Sequence, residues 1–146
     1  GDAEITVASA RELLKKVPDF DYILTPEAKS IPLAHEMSRQ SGKKYFVARK
    51  GEKVYMGNSF SVEVKSITTK KVQKLYLGEL DVEEMKGKNV LIVDDVISTG
   101  ESLIAVKKLA EEAGANIVAS CAVLAEGDAA KREDIIFLEP LPLITK

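Results

Sequence analysis

The chain has 146 residues, 45% of them hydrophobic and 30% charged, with 21 Lys and Arg against 23 Asp and Glu. That length suits one domain able to hide roughly two thirds of its unfolded surface, and the near balance of charge argues against a polybasic nucleic-acid binder. No stretch has the apolar length of a membrane span, the first residues lack the basic and apolar regions of a signal peptide, and one Cys and one His leave little material for a disulfide, a zinc cluster or a Ser-His-Asp triad. A cytoplasmic protein is expected, with no nucleic acid or membrane among its partners.

In chain order, "ASARELLKKV" carries Ser9 and Glu12 at capping-box spacing ahead of Leu13, Leu14 and Val17, which predicts a short helix. "FDYILTP" reads as a buried strand ending at Thr25-Pro26. "IPLAHEMSRQSG" follows as a helix with Pro32 in its first turn, Gly42 just past its end and His35 on its surface or edge. "KYFVARK" is the second strand, so these elements form a strand-helix-strand unit with a right-handed crossover.

From Gly51 to Gly87 the pattern changes. "SFSVEVKSI" alternates apolar and polar residues and "KVQKLYLG" does so less cleanly, which predicts an exposed hairpin, a flexible flap over about 51–78. The strand-helix rhythm then resumes with "NVLIVDD" and "ESLIAVKKLAEEAG", where Leu103, Val106, Ala110 and Ala113 share a face and Gly114 ends the helix. "NIVASCAVLAE", holding Cys121 as a small buried hydrophobe, and "DIIFLE" supply two more strands. The fold class is α/β, a single domain over 1–146: an open, mainly parallel five-stranded sheet with helices on both faces, for which 2-1-3-4-5 is one order. In that order the loops after "YILT" and "VLIVDD" flank one crevice, where ligands of open α/β sheets bind.

"VLIVDDVISTGES", residues 90–102, brings chemistry to that crevice. Buried acids need partners, and Asp94 and Asp95 can each accept a hydrogen bond from one hydroxyl of a vicinal diol. The turn Ser98, Thr99, Gly100, Glu101 and Ser102 opens a helix, whose unpaired amides and partial positive charge suit a phosphate. A ribose 5-phosphate satisfies the whole stretch. Two plainer readings stand beside it: the acids as magnesium ligands, and Ser-Thr-Gly as a cap with a tight turn. A P-loop and a dinucleotide fingerprint are excluded, because neither glycine pattern is present.

The stretch Val90–Ser102 resembles the phosphoribosyl pyrophosphate (PRPP) signature of the type I phosphoribosyltransferases, with four apolar residues, two acids, two apolar residues and a Ser/Thr-Gly loop. "TPEAKSIPLA" and "VARK" are similar to the pyrophosphate loop and following strand end of adenine phosphoribosyltransferase-like members. The resemblance implies a purine phosphoribosyltransferase, an enzyme passing the phosphoribosyl group of PRPP to adenine or a related base with release of pyrophosphate. It assigns the ribose hydroxyls to Asp94 and Asp95, and the 5-phosphate to Ser98, Thr99, Gly100, Glu101 and Ser102. Ala28, Lys29, Ser30, Arg49 and Lys50 take the pyrophosphate, and Mg²⁺ is held mainly by PRPP itself. Glu63 in the hairpin becomes the candidate acid/base, and a homodimer is implied. Hypoxanthine-guanine members carry an acid at the position of Ser98, so their base chemistry is not expected. Departures from the pattern are Glu101 and Ser30, where relatives favour Gly, and a short N-terminal segment in place of the hood over the base, for which the tail 125–146 is a candidate replacement. A PRPP- or nucleotide-sensing regulatory module of the same fold is the alternative. A phosphoacceptor receiver domain fits less well, because its acids should follow the first strand, which here ends in Thr-Pro.

Overall fold

The structure, a computed structural model, describes residues 3–50, 59–65, 72–97, 101–126 and 135–141. Its elements run α1 (Ala3–Lys16), β1 (Tyr22–Pro26), α2 (Ile31–Ser41), β2 (Tyr45–Ala48), β3 (Ser59–Lys65), β4 (Val72–Gly78), α3 (Glu79–Met85), β5 (Asn89–Ile97), α4 (Glu101–Glu112), β6 (Asn116–Glu126) and β7 (Ile135–Leu141). Five strands form one sheet in the order β2-β1-β5-β6-β7, every pairing parallel, while β3 and β4 form a separate antiparallel hairpin. The predicted order 2-1-3-4-5 is this order, with the order reversing between β1 and β5.

Strand alternation builds two cores. Ile23, Leu91, Val93 and Cys121 pack with Ala10 and Leu13 of α1 and with Leu33, Ala34 and Met37 of α2. Leu24, Val90, Ile92 and Ala122 face the other way, onto Leu103, Val106, Leu109 and Ala110 of α4, Met85 of α3 and Leu75 and Leu77 of β4. Because successive strand residues point to opposite faces, an unbroken apolar run is what a strand covered on both sides requires. Gly42 and Gly114 end their helices at φ 76 and 83°, in the left-handed region that costs glycine least.

Two expectations are corrected. Ser9 does not cap α1, which begins six residues earlier; Ser9 is buried mid-helix beside Ala10, and Glu12 pairs with Lys15 at 3.3 Å. The side of the helix that must meet α2 and the sheet sets its length, and a local capping pattern cannot overrule that burial. Within 51–87, residues 79–85 are a helix, and Leu75 and Leu77 are buried, so β4 is anchored to the core and not exposed along its length. The strand predicted at "DIIFLE" is the edge strand β7, paired with β6 from Ser120↔Ile135 to Glu126↔Leu141. A hood drawn from the tail would therefore come from 127–134 or 142–146, outside the described residues.

Candidate active site

β1, β2 and β5 all end at one rim of the sheet. β1 aligns Pro26 with Ala48 of β2, and Leu24 with Ile92 of β5, so Glu27–Ser30 and Arg49–Lys50 follow the ends of β1 and β2, while Asp94–Asp95 lie within β5, which runs on to Ile97. The residues that the sequence assigned to the pyrophosphate and to the ribose thus lie on neighbouring strands at the β1–β5 switch.

Asp94 is 9% exposed. Alternation along β5 would send Asp94 and Asp95 to opposite faces. Instead the Asp94 carboxylate turns back: its Oδ1 accepts the Asp95 amide at 2.8 Å, and its carboxyl shares a hydrogen bond with that of Asp95. Burial, first, and that carboxyl–carboxyl contact push Asp94 up to about 7, against a smaller opposing pull from the Asp95 amide. Hydroxyl donors placed against the pair would favour its ionised form, the proton being lost to solvent.

The loop between β1 and α2 is braced from inside. Thr25 Oγ1 lies 2.8 Å from the Val93 carbonyl and 2.7 Å from Ser30 Oγ, which lies 3.0 Å from the Pro26 carbonyl. Thr25 and Ser30 are both buried. The hydroxyl of Ser30 is therefore committed to the scaffold, and anything it offers a ligand must come from its backbone. The Glu27–Ala28 peptide is cis. Lys29 is exposed and Arg49 half-buried. Glu27 Oε2 lies 3.9 Å from Arg49 Nη1, and Glu27 Oε1 accepts the Lys50 amide at 2.9 Å.

Arg49 also carries the hairpin. Its amide donates to the Tyr76 carbonyl at 2.9 Å, and the Tyr76 amide donates back at 2.8 Å, so β4 is tied by its backbone to a candidate pyrophosphate residue. Sequence reasoning missed Tyr76 and Glu27. The signal for Glu27 was its place directly before Ala28-Lys29-Ser30; for Tyr76 there was none. Glu63 sits on β3 opposite Lys74.

Ser98, Thr99 and Gly100 lie outside the described residues, while Glu101 and Ser102 form the first turn of α4. No group of three His, Cys, Asp or Glu that could hold a metal occurs among the described residues. Nor is any described helix long and apolar enough to cross a membrane. Cys121 is buried, and burial pushes its thiol up to about 12, which keeps it a protonated thiol in the core.

Residues 3–141 match the phosphoribosyl transferase domain family. The chain is 41% identical over 110 residues to a hypoxanthine/guanine phosphoribosyltransferase of Methanococcus voltae, covering 75% of this chain and 55% of that protein. To the enzyme of that name from Methanosarcina mazei it is 33% identical, covering 95% of this chain and 71% of that protein. The chain thus spans little more than half the length of several of the curated relatives it matches, 55% and 56% for two of them. In three dimensions it is similar to the adenine phosphoribosyltransferase of Thermoanaerobacter pseudethanolicus, with a TM-score of 0.81 at 24% identity over 96% of this chain and 83% of that one, a likeness of fold.

Proposed function

This chain belongs to the phosphoribosyl transferase family, and we propose that it is a purine phosphoribosyltransferase, moving the 5-phosphoribosyl group of PRPP to a ring nitrogen of adenine or a related purine with release of pyrophosphate. The observation that carries the reading is Asp94: a buried carboxylate, pushed up to about 7, in the C-terminal half of β5, the strand that leads into α4 beside the switch point. A buried acid with a proton to give up is matched by a vicinal diol, which donates two hydrogen bonds to the pair once ionised.

On this reading Asp94 and Asp95 hold the ribose 2- and 3-hydroxyls, and Ser98 to Ser102 bind the 5-phosphate at the N-terminus of α4. The acids orient the sugar and do not attack it. Ala28, Lys29 and Ser30 from one loop, with Arg49 and Lys50 from the end of β2, surround the pyrophosphate, where their donors and cations stabilise the charge that builds as the C1–O bond breaks. The hairpin and the segments flanking it, about 51–78, act as a flap that excludes water from the cationic sugar, and Glu63 on it is the candidate acid/base for the purine.

The donor set also fits Mg²⁺. The two adjacent carboxylates would lend oxygens to an ion held chiefly by the oxygens of PRPP. Bound there, the ion would neutralise charge on the leaving pyrophosphate. A homodimer and a cytoplasmic location belong to the same reading; sedimentation velocity tests the first and fractionation of the source cells the second.

The test mixes the chain with PRPP, Mg²⁺ and a panel of adenine, hypoxanthine, guanine and xanthine while following pyrophosphate release. Hypoxanthine and guanine belong in the panel because the sequence relatives bear those names, and adenine because the similar structures do. Turnover with a purine is the expected result. Saturable PRPP binding without turnover on any base would instead select a sensing module.

A further inference from the structure

Glu27 stands between the two halves of the proposed pyrophosphate cradle. Its amide donates to the Ala48 carbonyl at 2.9 Å, its Oε1 accepts the Lys50 amide at 2.9 Å, and its Oε2 lies 3.9 Å from Arg49 Nη1. The carboxylate and the guanidinium are 24% and 30% exposed, so neither is fully bathed in solvent. A negative charge is therefore built in among Lys29, Arg49 and Lys50, where the reading above brings in a polyanion.

The contacts of Glu27 separate by chemistry. The bond from the Lys50 amide needs an acceptor oxygen but no charge, and it clips the loop after β1 to the end of β2. The contact with Arg49 is an ion pair, and it opposes the ligand: a pyrophosphate reaching Arg49 must draw the guanidinium from Glu27 and lie near a like charge.

We propose, on the phosphoribosyl-transfer reading of this site, that Glu27 is a displaceable internal counter-ion: it holds Arg49 while the site is free, yields it to pyrophosphate, and by its charge weakens pyrophosphate binding and speeds release. It is a positioning residue, acting through Arg49 and not on the reacting carbon.

The test is calorimetric titration of Mg²⁺ and inorganic pyrophosphate into the chain and into Glu27→Gln, Arg49→Gln and the double variant. Gln keeps an acceptor for the Lys50 amide and removes the charge. Glu27→Gln is expected to bind pyrophosphate about two- to tenfold more tightly than the parent chain, and the gain should vanish in the Arg49→Gln background, since the charge acts through that residue. Thermal melts equal to within a few degrees would show both single variants folded. Binding by Glu27→Gln that is unchanged or weaker, or a gain that survives the loss of Arg49, overturns the proposal. A parent chain that binds no pyrophosphate refutes the site assignment itself, and with it this role for Glu27.

Discussion

Thr25 and Ser30 meet through their hydroxyl oxygens at 2.7 Å in the protein interior, at the point where β1 ends and α2 begins. Through the Val93 carbonyl, 2.8 Å from Thr25 Oγ1, this contact reaches the residue before Asp94. A small buried polar cluster therefore fixes the loop of the proposed pyrophosphate site relative to the acids of the proposed ribose site. Thr25→Val preserves shape but removes a hydroxyl from a cluster that cannot turn to water. Urea melts should show a loss of about 1–3 kcal/mol, with pyrophosphate affinity falling as the loop loses its brace. A variant as stable as the parent would show that the cluster does not hold the loop.

Asp94 gives a pH signature of known sign. Its value in the folded chain, about 7, lies above the ordinary 3.8, so the folded chain grips this proton more tightly than the unfolded chain does. Its contribution to stability is full below pH 4 and is lost as pH rises through about 7. Asp94→Asn, which cannot ionise, should therefore stabilise the free chain at pH 8, by about 1–3 kcal/mol, and do little at pH 4. Denaturant melts at the two pH values decide it; equal effects at both would show that Asp94 is not held protonated.

Ligand affinity should run the opposite way. Ribose hydroxyls donate to ionised carboxylates, so PRPP binding is expected to strengthen as pH rises from 5 to 7 and to release protons near pH 6. Calorimetry in buffers of different ionisation enthalpy measures that release directly, and no release would count against the diol assignment.

Arg49→Gln separates the guanidinium from its backbone. Both hydrogen bonds to Tyr76 are made by main-chain atoms, so the hairpin should keep its anchor while pyrophosphate binding weakens about ten- to a hundredfold, as for a lost charged hydrogen bond. A normal affinity would place the pyrophosphate elsewhere.

The sheet was legible because burial on both faces forces long apolar runs: "YILT" and "VLIV" can serve in few other roles. The parallel arrangement of the strands followed from their alternation with helices, their order was the one implied by the resemblance to the type I phosphoribosyltransferases, and Asp94 and Asp95 stood out as acids at the end of such a run. Ser9 misled because its local pattern is that of a cap, whereas its actual place is fixed by contacts with α2 and the sheet, which sequence spacing does not record. Leu75 and Leu77 were hidden in a strand whose alternation was imperfect, since the two leucines serve a core assembled from segments far along the chain. Glu27 and Tyr76 owe their importance to register, the alignment of β1 with β2 and the Arg49–Tyr76 bridge, and register is a relation between strands that neither strand carries alone. The carboxyl–carboxyl contact of Asp94 and Asp95 was similarly invisible, because alternation by itself predicts divergence.

The account rests on a single sugar phosphate held between the acids of β5 and the first turn of α4, and titration of PRPP with Mg²⁺ into the chain and into Asp94→Asn/Asp95→Asn tests it most directly. The parent chain should bind saturably, and the double variant should show no measurable binding while giving the circular dichroism spectrum of the parent. A folded double variant that binds PRPP as the parent does would contradict it.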